Sequence, residues 1–316
     1  MVGPTSGLAY HQLQRGARWA WWRPLVGVLA VVALVFVLQV IVTFGVAAVV
    51  VAGGTPIDDA LDQLSGVGPV LPSYLAVINL GWAVTIPAVM LVAWLLHRMS
   101  PGWLASVVGR IRWGWLAVCF GLALLALLAT IVVGTLVPSD TIESSGQLND
   151  FTRQTRDFLL VILLLTPLQA AGEEYAFRGY LTQAVGGVFR NPRVAMVVAV
   201  VVPAVLFALA HGVQDPPIFV DRLAFGLVAG TLVILTGGLE AGIAMHVLNN
   251  WLAFGLALAY GDMASTLNPS GGSWWSIPVT LTQSLVYLGL ALLVARRMGL
   301  TDRTDPAVLA ALPSRR

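Results

Sequence analysis

Eight stretches of this chain are long and apolar enough to cross a bilayer, and that repeated length limits the fold more than any other feature. They cover about 25–52, 73–96, 113–137, 158–183, 194–212, 219–236, 239–260 and 275–295 of the 316 residues. One crossing takes about 20 apolar residues. Hydrophobic residues make up 58% of the chain and charged ones 10%, against about 25% charged in a soluble domain. Turn-rich pieces such as "GGTPIDD", "RMSPGW", "FRNPR" and "QDPP" separate the runs, and no internal repeat is visible. The expected fold is an all-α polytopic membrane helix bundle of about eight transmembrane helices. Its divisions are an amphipathic N-terminal segment over 1–24, a transmembrane domain over 25–296 and a tail over 297–316. The bilayer is its first expected partner, and no nucleic-acid partner is expected.

The basic residues orient the bundle. All 17 are arginine. With the N-terminus inside, Arg15, Arg18, Arg23, Arg98, Arg110, Arg112, Arg190, Arg193, Arg296, Arg297, Arg303, Arg315 and Arg316 face the cytoplasm. The opposite side receives Arg153, Arg156 and Arg222 with Asp58, Asp59, Asp62, Asp140, Glu143 and Asp150. Such a bias places both termini in the cytoplasm and the chain in a cell membrane, with a bacterial cytoplasmic membrane expected. Trp19, Trp21, Trp22, Trp103, Trp113, Trp115, Trp274 and Trp275 fall at the expected interfaces, where indole rings settle. Tyr10 to Trp22 reads as a short helix on the inner leaflet. The single Cys119 excludes an internal disulfide and any multi-cysteine metal site. The N-terminal stretch is too polar, and its apolar part runs on too far, for a cleaved signal.

Ionisable residues well inside these runs are few: Glu173, Glu174, Arg178, His211 and His246, with Glu240 at a span entrance. A charge near the bilayer centre costs at least about 2.5 kcal/mol, so such groups face a cavity or one another. Glu174 and Arg178 are four apart and share a helix face; Glu173 points about 100° away. Phe207 and His211 in "FALAH", and His246 and Asn250 in "HVLNN", have the same spacing. Three helices therefore each present a polar face. A carboxylate with imidazoles activates water. An imidazole with an amide hydrogen-bonds a developing oxyanion. Two histidines and a glutamate also match a catalytic zinc with an open position. All three describe amide hydrolysis.

"EEYAFR", "FALAH" and "HVLNN" fit Glu-Glu-x-x-x-Arg, Phe-x-x-x-His and His-x-x-x-Asn in that order. The chain resembles the CPBP family: type II CAAX prenyl endopeptidases and the bacteriocin-processing or Abi proteins. The resemblance implies an intramembrane endopeptidase, with Glu173 as general base and His211 sharing its water or a metal. It implies that His246 and Asn250 stabilise the oxyanion, that Glu174 and Arg178 orient the site, and that Phe207 shapes the pocket. Family members are called metalloproteases. Zn2+ held by Glu173, His211 and His246 and a metal-independent glutamate–histidine route both fit the pattern, which lacks a His-Glu-x-x-His helix. The expected substrate is a membrane-embedded or membrane-associated peptide.

Plainer readings attach to the same residues. Glu174 with Arg178 reads as a neutralising pair, Asn250 as a donor to a neighbouring helix, Glu240 as interfacial, and Gly226 with Gly230 as a close helix contact. An immunity or scaffold protein on the same fold and a proton-coupled transporter are the competing functions. Depth raises a conflict. With these limits Glu173 lies about 22 Å from the outer end of the fourth span and His211 about 27 Å from the inner end of the fifth. In a core of about 30 Å they would not meet. The fifth helix projects past the inner surface around "NPRVAMV", the fourth begins later, or the tilts differ; a cytoplasm-facing site favours the first.

Overall fold

A computed structural model describes residues 7–16, 19–136, 147–269 and 271–305. Arg18, Asp140, Glu143, Arg315 and Arg316 of the charge bias, and most of the expected tail, lie outside them. Eight helices are long and apolar enough to span a membrane: α1 (Arg23–Ala52), α2 (Pro72–Leu95), α3 (Trp113–Gly134), α4 (Arg153–Val188), α5 (Pro192–Leu209), α6 (Pro216–Thr236), α7 (Glu240–Tyr260) and α8 (Ser276–Arg297). No strand occurs among the described residues.

The fourth helix is longer than its apolar run suggests, at 36 residues. A capping box starts it: the Thr155 N–H donates to Thr152 Oγ1 at 3.1 Å, and the Thr152 N–H donates to Thr155 Oγ1 at 3.2 Å. At the other end the chain stays helical beyond residue 183 because protein replaces lipid as its neighbour. Tyr10–Gly16 packs there, and a Cβ on Gly186 would lie 2.4 Å from the His11 carbonyl oxygen. The helix stops at Phe189, which is extended, and Asn191 caps α5 by accepting from the Arg193 N–H at 2.9 Å.

The N-terminal segment therefore departs from the expected surface helix. Tyr10, His11, Gln12, Leu13 and Gln14 are buried in protein, and Trp19, Trp21 and Trp22 carry the exposed rings. Tyr10 donates to the Leu104 carbonyl at 2.5 Å. The first and last described segments also pair: the Thr304 N–H donates to the Leu8 carbonyl at 3.0 Å and the Leu8 N–H to Thr304 Oγ1 at 2.9 Å. Both terminal segments thus lie at one end of the bundle, as an even number of crossings requires.

Two further expectations change. Trp115 is not interfacial: at 2% exposure it belongs to the main apolar core with Cys119 and Tyr287. Glu240, the first residue of α7, is covered by protein. It is fully buried, accepting from Arg112 Nε at 2.9 Å and Nη2 at 2.7 Å while the Arg112 backbone N–H reaches the same carboxylate at 2.8 Å. Both residues looked superficial because sequence position marks the end of a helix, and the loop over 97–112 folds back over that end. The Gly226 and Gly230 contact is as expected: a Cβ would stand 3.0 Å from Ala204 Cβ at the first and 3.3 Å from Val200 Cγ1 at the second. His97, just past α2, has its pKa lowered to about 4 by burial and then by Arg23. It is neutral at pH 7, with Nε2 2.7 Å from the Tyr180 hydroxyl.

The closest approach near the polar residues is between α2 and α4. A Cβ on Gly172 would lie 2.0 Å from the Trp82 carbonyl oxygen. That neighbour is backbone and has no rotamer to yield. Gly172→Ala is expected to cost about 1–3 kcal/mol by prising the helices apart beside Glu173. The checks are the thermal unfolding midpoint of purified protein and, as a control, Gly45→Ala, where a Cβ meets nothing within 4 Å.

Candidate active site

α4 carries the acidic pair at the point where its hydrogen bonding changes. Glu173 ends the regular part, and Glu174–Leu181 is π-helical. A π stretch widens the turn and is a frequent mark of functional positions. Here it sends Glu174 and Arg178 inward toward α7 and α5. Both are fully buried, with Arg178 Nη1 3.1 Å from Glu174 Oε1. The guanidinium lies over the Phe207 ring, 4.1 Å from its centroid.

His246 on α7 meets both carboxylates. Its Nδ1 is 3.0 Å from Glu174 Oε1 and its Nε2 is 3.7 Å from Glu173 Oε2. The carboxylate of Glu174 accepts only, so Nδ1 carries the proton and Nε2 is turned toward Glu173. At 3.7 Å the second contact is too long for a direct hydrogen bond, and Glu173 Oε2 has no hydrogen-bond partner although it is buried. An off-axis water bridges groups at such a spacing, and an unpaired buried oxygen calls for one.

The other Glu173 oxygen is engaged. Gln169, one turn earlier on α4, donates from Nε2 to Glu173 Oε1, and its Oε1 accepts from Asn250 Nδ2 at 3.0 Å. Asn250, one turn beyond His246 on α7, is thereby tied to the same carboxylate. Sequence reasoning missed Gln169. It lies four residues before Glu173 at the end of the apolar run, and that spacing on one face was the available signal.

His211 makes no hydrogen bond to these side chains among the described residues, although His246 and Arg178 are among its charged neighbours. α5 ends at Leu209, and the ring that follows lies edge-on to Phe207 with centroids 4.8 Å apart. Phe207 is also edge-on to His246 at 5.9 Å. Since a carbonyl only accepts, His211 Nδ1 donates to the Phe207 carbonyl at 2.8 Å, which leaves Nε2 unprotonated in the neutral ring. No hydrogen bond or ion pair joins His211 to Glu173 among the described residues. The nearest imidazole to Glu173 is that of His246. Phe225 on α6 completes the aromatic surround, 5.2 Å from His246.

Glu173 and His246 stand at similar levels on their helices. Gly179 packs on Leu239 at the foot of α7, where a Cβ would meet Leu239 Cδ1 at 3.5 Å. From that level Glu173 and His246 are about six and seven residues along their helices, so both stand about 10 Å in. The fourth helix starts earlier than the apolar run, at Arg153, and not later.

The donor set does not draw together as a metal site. Among the described residues no group of three or more His, Cys, Asp or Glu is placed to hold one ion. His246 Nδ1 is committed to Glu174, and the expected Glu173, His211 and His246 set is not among such groups. On the lipid side, an apolar groove of about 460 Å³ runs between α1, α2 and the π stretch, with Val28, Phe36, Trp82 and Phe177 in its walls. Phe177 is edge-on to Phe207, with centroids 5.5 Å apart, so the groove backs onto the site.

Residues 155–252 match the family model described as type II CAAX prenyl endopeptidase Rce1-like. Among curated proteins, the uncharacterized protein YyaK of Bacillus subtilis (strain 168) is 28% identical over 141 residues, covering 42% of this chain and 47% of that one. The chain thus spans about half the length of the curated relative it matches. No solved structure matches. The matched segment holds all three motifs and Gln169 together with the buried cluster they form, and over residues 155–252 the chain is similar to the Rce1-like type II CAAX prenyl endopeptidases.

Proposed function

We propose that this protein is an intramembrane endopeptidase that hydrolyses a peptide bond in a membrane-embedded or membrane-associated peptide. One observation carries the reading: the unpaired, buried Oε2 of Glu173 faces Nε2 of His246 at 3.7 Å, with an apolar groove behind Phe177. A water between that oxygen and that nitrogen loses a proton to Glu173 as it attacks the scissile carbonyl. The carbonyl oxygen gains charge, and the Asn250 amide, whose second N–H is not spent on Gln169, donates to it. Glu174 keeps His246 in the tautomer that presents Nε2, and Arg178 compensates Glu174. Glu173 then hands its proton to the leaving amine. His211, expected to share the water, is bonded to the Phe207 carbonyl and takes no part in the first step of this scheme. Zn2+ would supply Lewis-acid activation of the water, but the residues as placed do not form its ligand set, and no step depends on it. The apolar groove accommodates the hydrocarbon part of the substrate.

The match to a prenyl endopeptidase domain makes a lipidated C-terminus one substrate class to test. A leader peptide or a membrane-protein segment is another. Membrane-peptide profiles from cells expressing wild-type or Glu173→Gln protein distinguish them without prior choice. New peptide termini present only with wild type identify the substrate; identical profiles from matched expression would remove the hydrolase reading.

A further inference from the structure

We infer that Gln169 is a positioning residue that locks the base and the oxyanion donor into one hydrogen-bonded chain. The inference rests on the hydrolase reading above and extends it to a residue outside the three motifs. Gln169 is 7% exposed, and its side-chain amide is used at both ends: Nε2 donates to Glu173 Oε1 and Oε1 accepts from Asn250 Nδ2 at 3.0 Å.

The direction of this chain is fixed by its acidic end. An ionised carboxylate only accepts, so the amide nitrogen of Gln169 must face Glu173. Its oxygen then faces α7, and that oxygen in turn only accepts, so Asn250 must present its nitrogen. One N–H of Asn250 is consumed and the other is aimed by the same bond. The carboxylate state of Glu173 is thereby read out as the orientation of an amide on another helix. Each member polarises the next in a low-dielectric interior. Removing the middle member leaves Glu173 Oε1 without this donor and frees Asn250 to rotate. Other charged and titratable groups around the chain are Glu174 and Arg178 on α4, His246 on α7 and Arg222 on α6. Among the described residues none of them forms a hydrogen bond with Asn250.

The role is a matter of alignment, so its signature is turnover and not substrate affinity. Supporting-residue losses at catalytic centres run to about 10–100-fold. Gln169→Met keeps the length and most of the volume and removes both bonds. It is expected to lower turnover about 10–100-fold on a quenched peptide spanning a Glu173-dependent cleavage site found in the membrane-peptide profiles, in vesicles. KM should stay within about twofold, and the thermal unfolding midpoint close to wild type. The double variant Gln169→Met/Asn250→Ala is expected to lose no more than the worse single variant, because members of one chain are not additive. Wild-type turnover in Gln169→Met, or losses that multiply in the double variant, would overturn the role while leaving the hydrolase reading intact. If no cleavage depends on Glu173, the hydrolase reading falls and takes this role with it. If Gln169→Met unfolds, Gln169→Glu provides the second arm: it restores the chain only when a proton is shared with Glu173, so turnover should fall as pH rises where wild type shows no such fall. A pH profile parallel to wild type would overturn the role.

Discussion

Glu173→Gln is expected to reduce peptide-bond cleavage by about three orders of magnitude or more while leaving the fold in place. General bases contribute about 10²–10⁴-fold, and a thousandfold loss is about 4 kcal/mol of transition-state stabilisation. The change is nearly isosteric and replaces a buried charge by a neutral amide beside His246, so no uncompensated charge is created. Gln169 can still bond to the new side chain. The measurement is turnover in reconstituted vesicles at matched protein levels, with a thermal unfolding scan of the same samples. Equal turnover in the two forms would remove Glu173 from the chemistry. Loss of both turnover and the unfolding transition would mean that the carboxylate is structural.

Arg178→Met is the second large effect, and it is expected in stability. Arg178 and Glu174 are both fully buried with Nη1 and Oε1 3.1 Å apart, and the guanidinium lies 4.1 Å from the Phe207 centroid. Deleting one member of a buried pair leaves the other charged and unsolvated, at a cost of about 3–5 kcal/mol. The desolvated cation–π contact adds about 2 kcal/mol to what the arginine contributes. Arg178→Met should therefore unfold at a much lower temperature in detergent than wild type. Glu174→Gln/Arg178→Met, which removes both charges, should recover most of the loss, since apolar or neutral replacements of a buried pair are often tolerated. It should not recover cleavage, because His246 Nδ1 then lacks the carboxylate 3.0 Å away that fixes its tautomer. A single Arg178→Met variant as stable as wild type would show that the pair carries no such weight. A double variant with full activity would show that Glu174 does not orient His246.

The two outcomes separate the parts played by adjacent glutamates. Glu173 is held by one amide on one oxygen and leaves the other facing His246. Glu174 is occupied by Arg178 and His246. A neutralising pair and an orienting pair are the same pair in this bundle, because the carboxylate that neutralises Arg178 also takes the His246 proton donor.

Hydropathy and spacing by themselves determined the eight helices, the membrane as solvent, and the three faces bearing Glu173, Glu174, Arg178, Phe207, His211, His246 and Asn250. These are local properties: apolar length is summed along one segment, and i,i+4 spacing puts residues on one side of one helix whatever lies opposite. Tertiary structure alone decided which faces meet and at what depth. The burial of Glu240 under Arg112 and of Trp115 in the core depends on a loop folding over a helix end. The approach of Glu173 to His246 depends on how α4 and α7 seat against each other. The bridge through Gln169 depends on the rotation of α7 about its axis. Depth and rotation are set by side chains from other helices packing against these, and no window of a single segment contains that information.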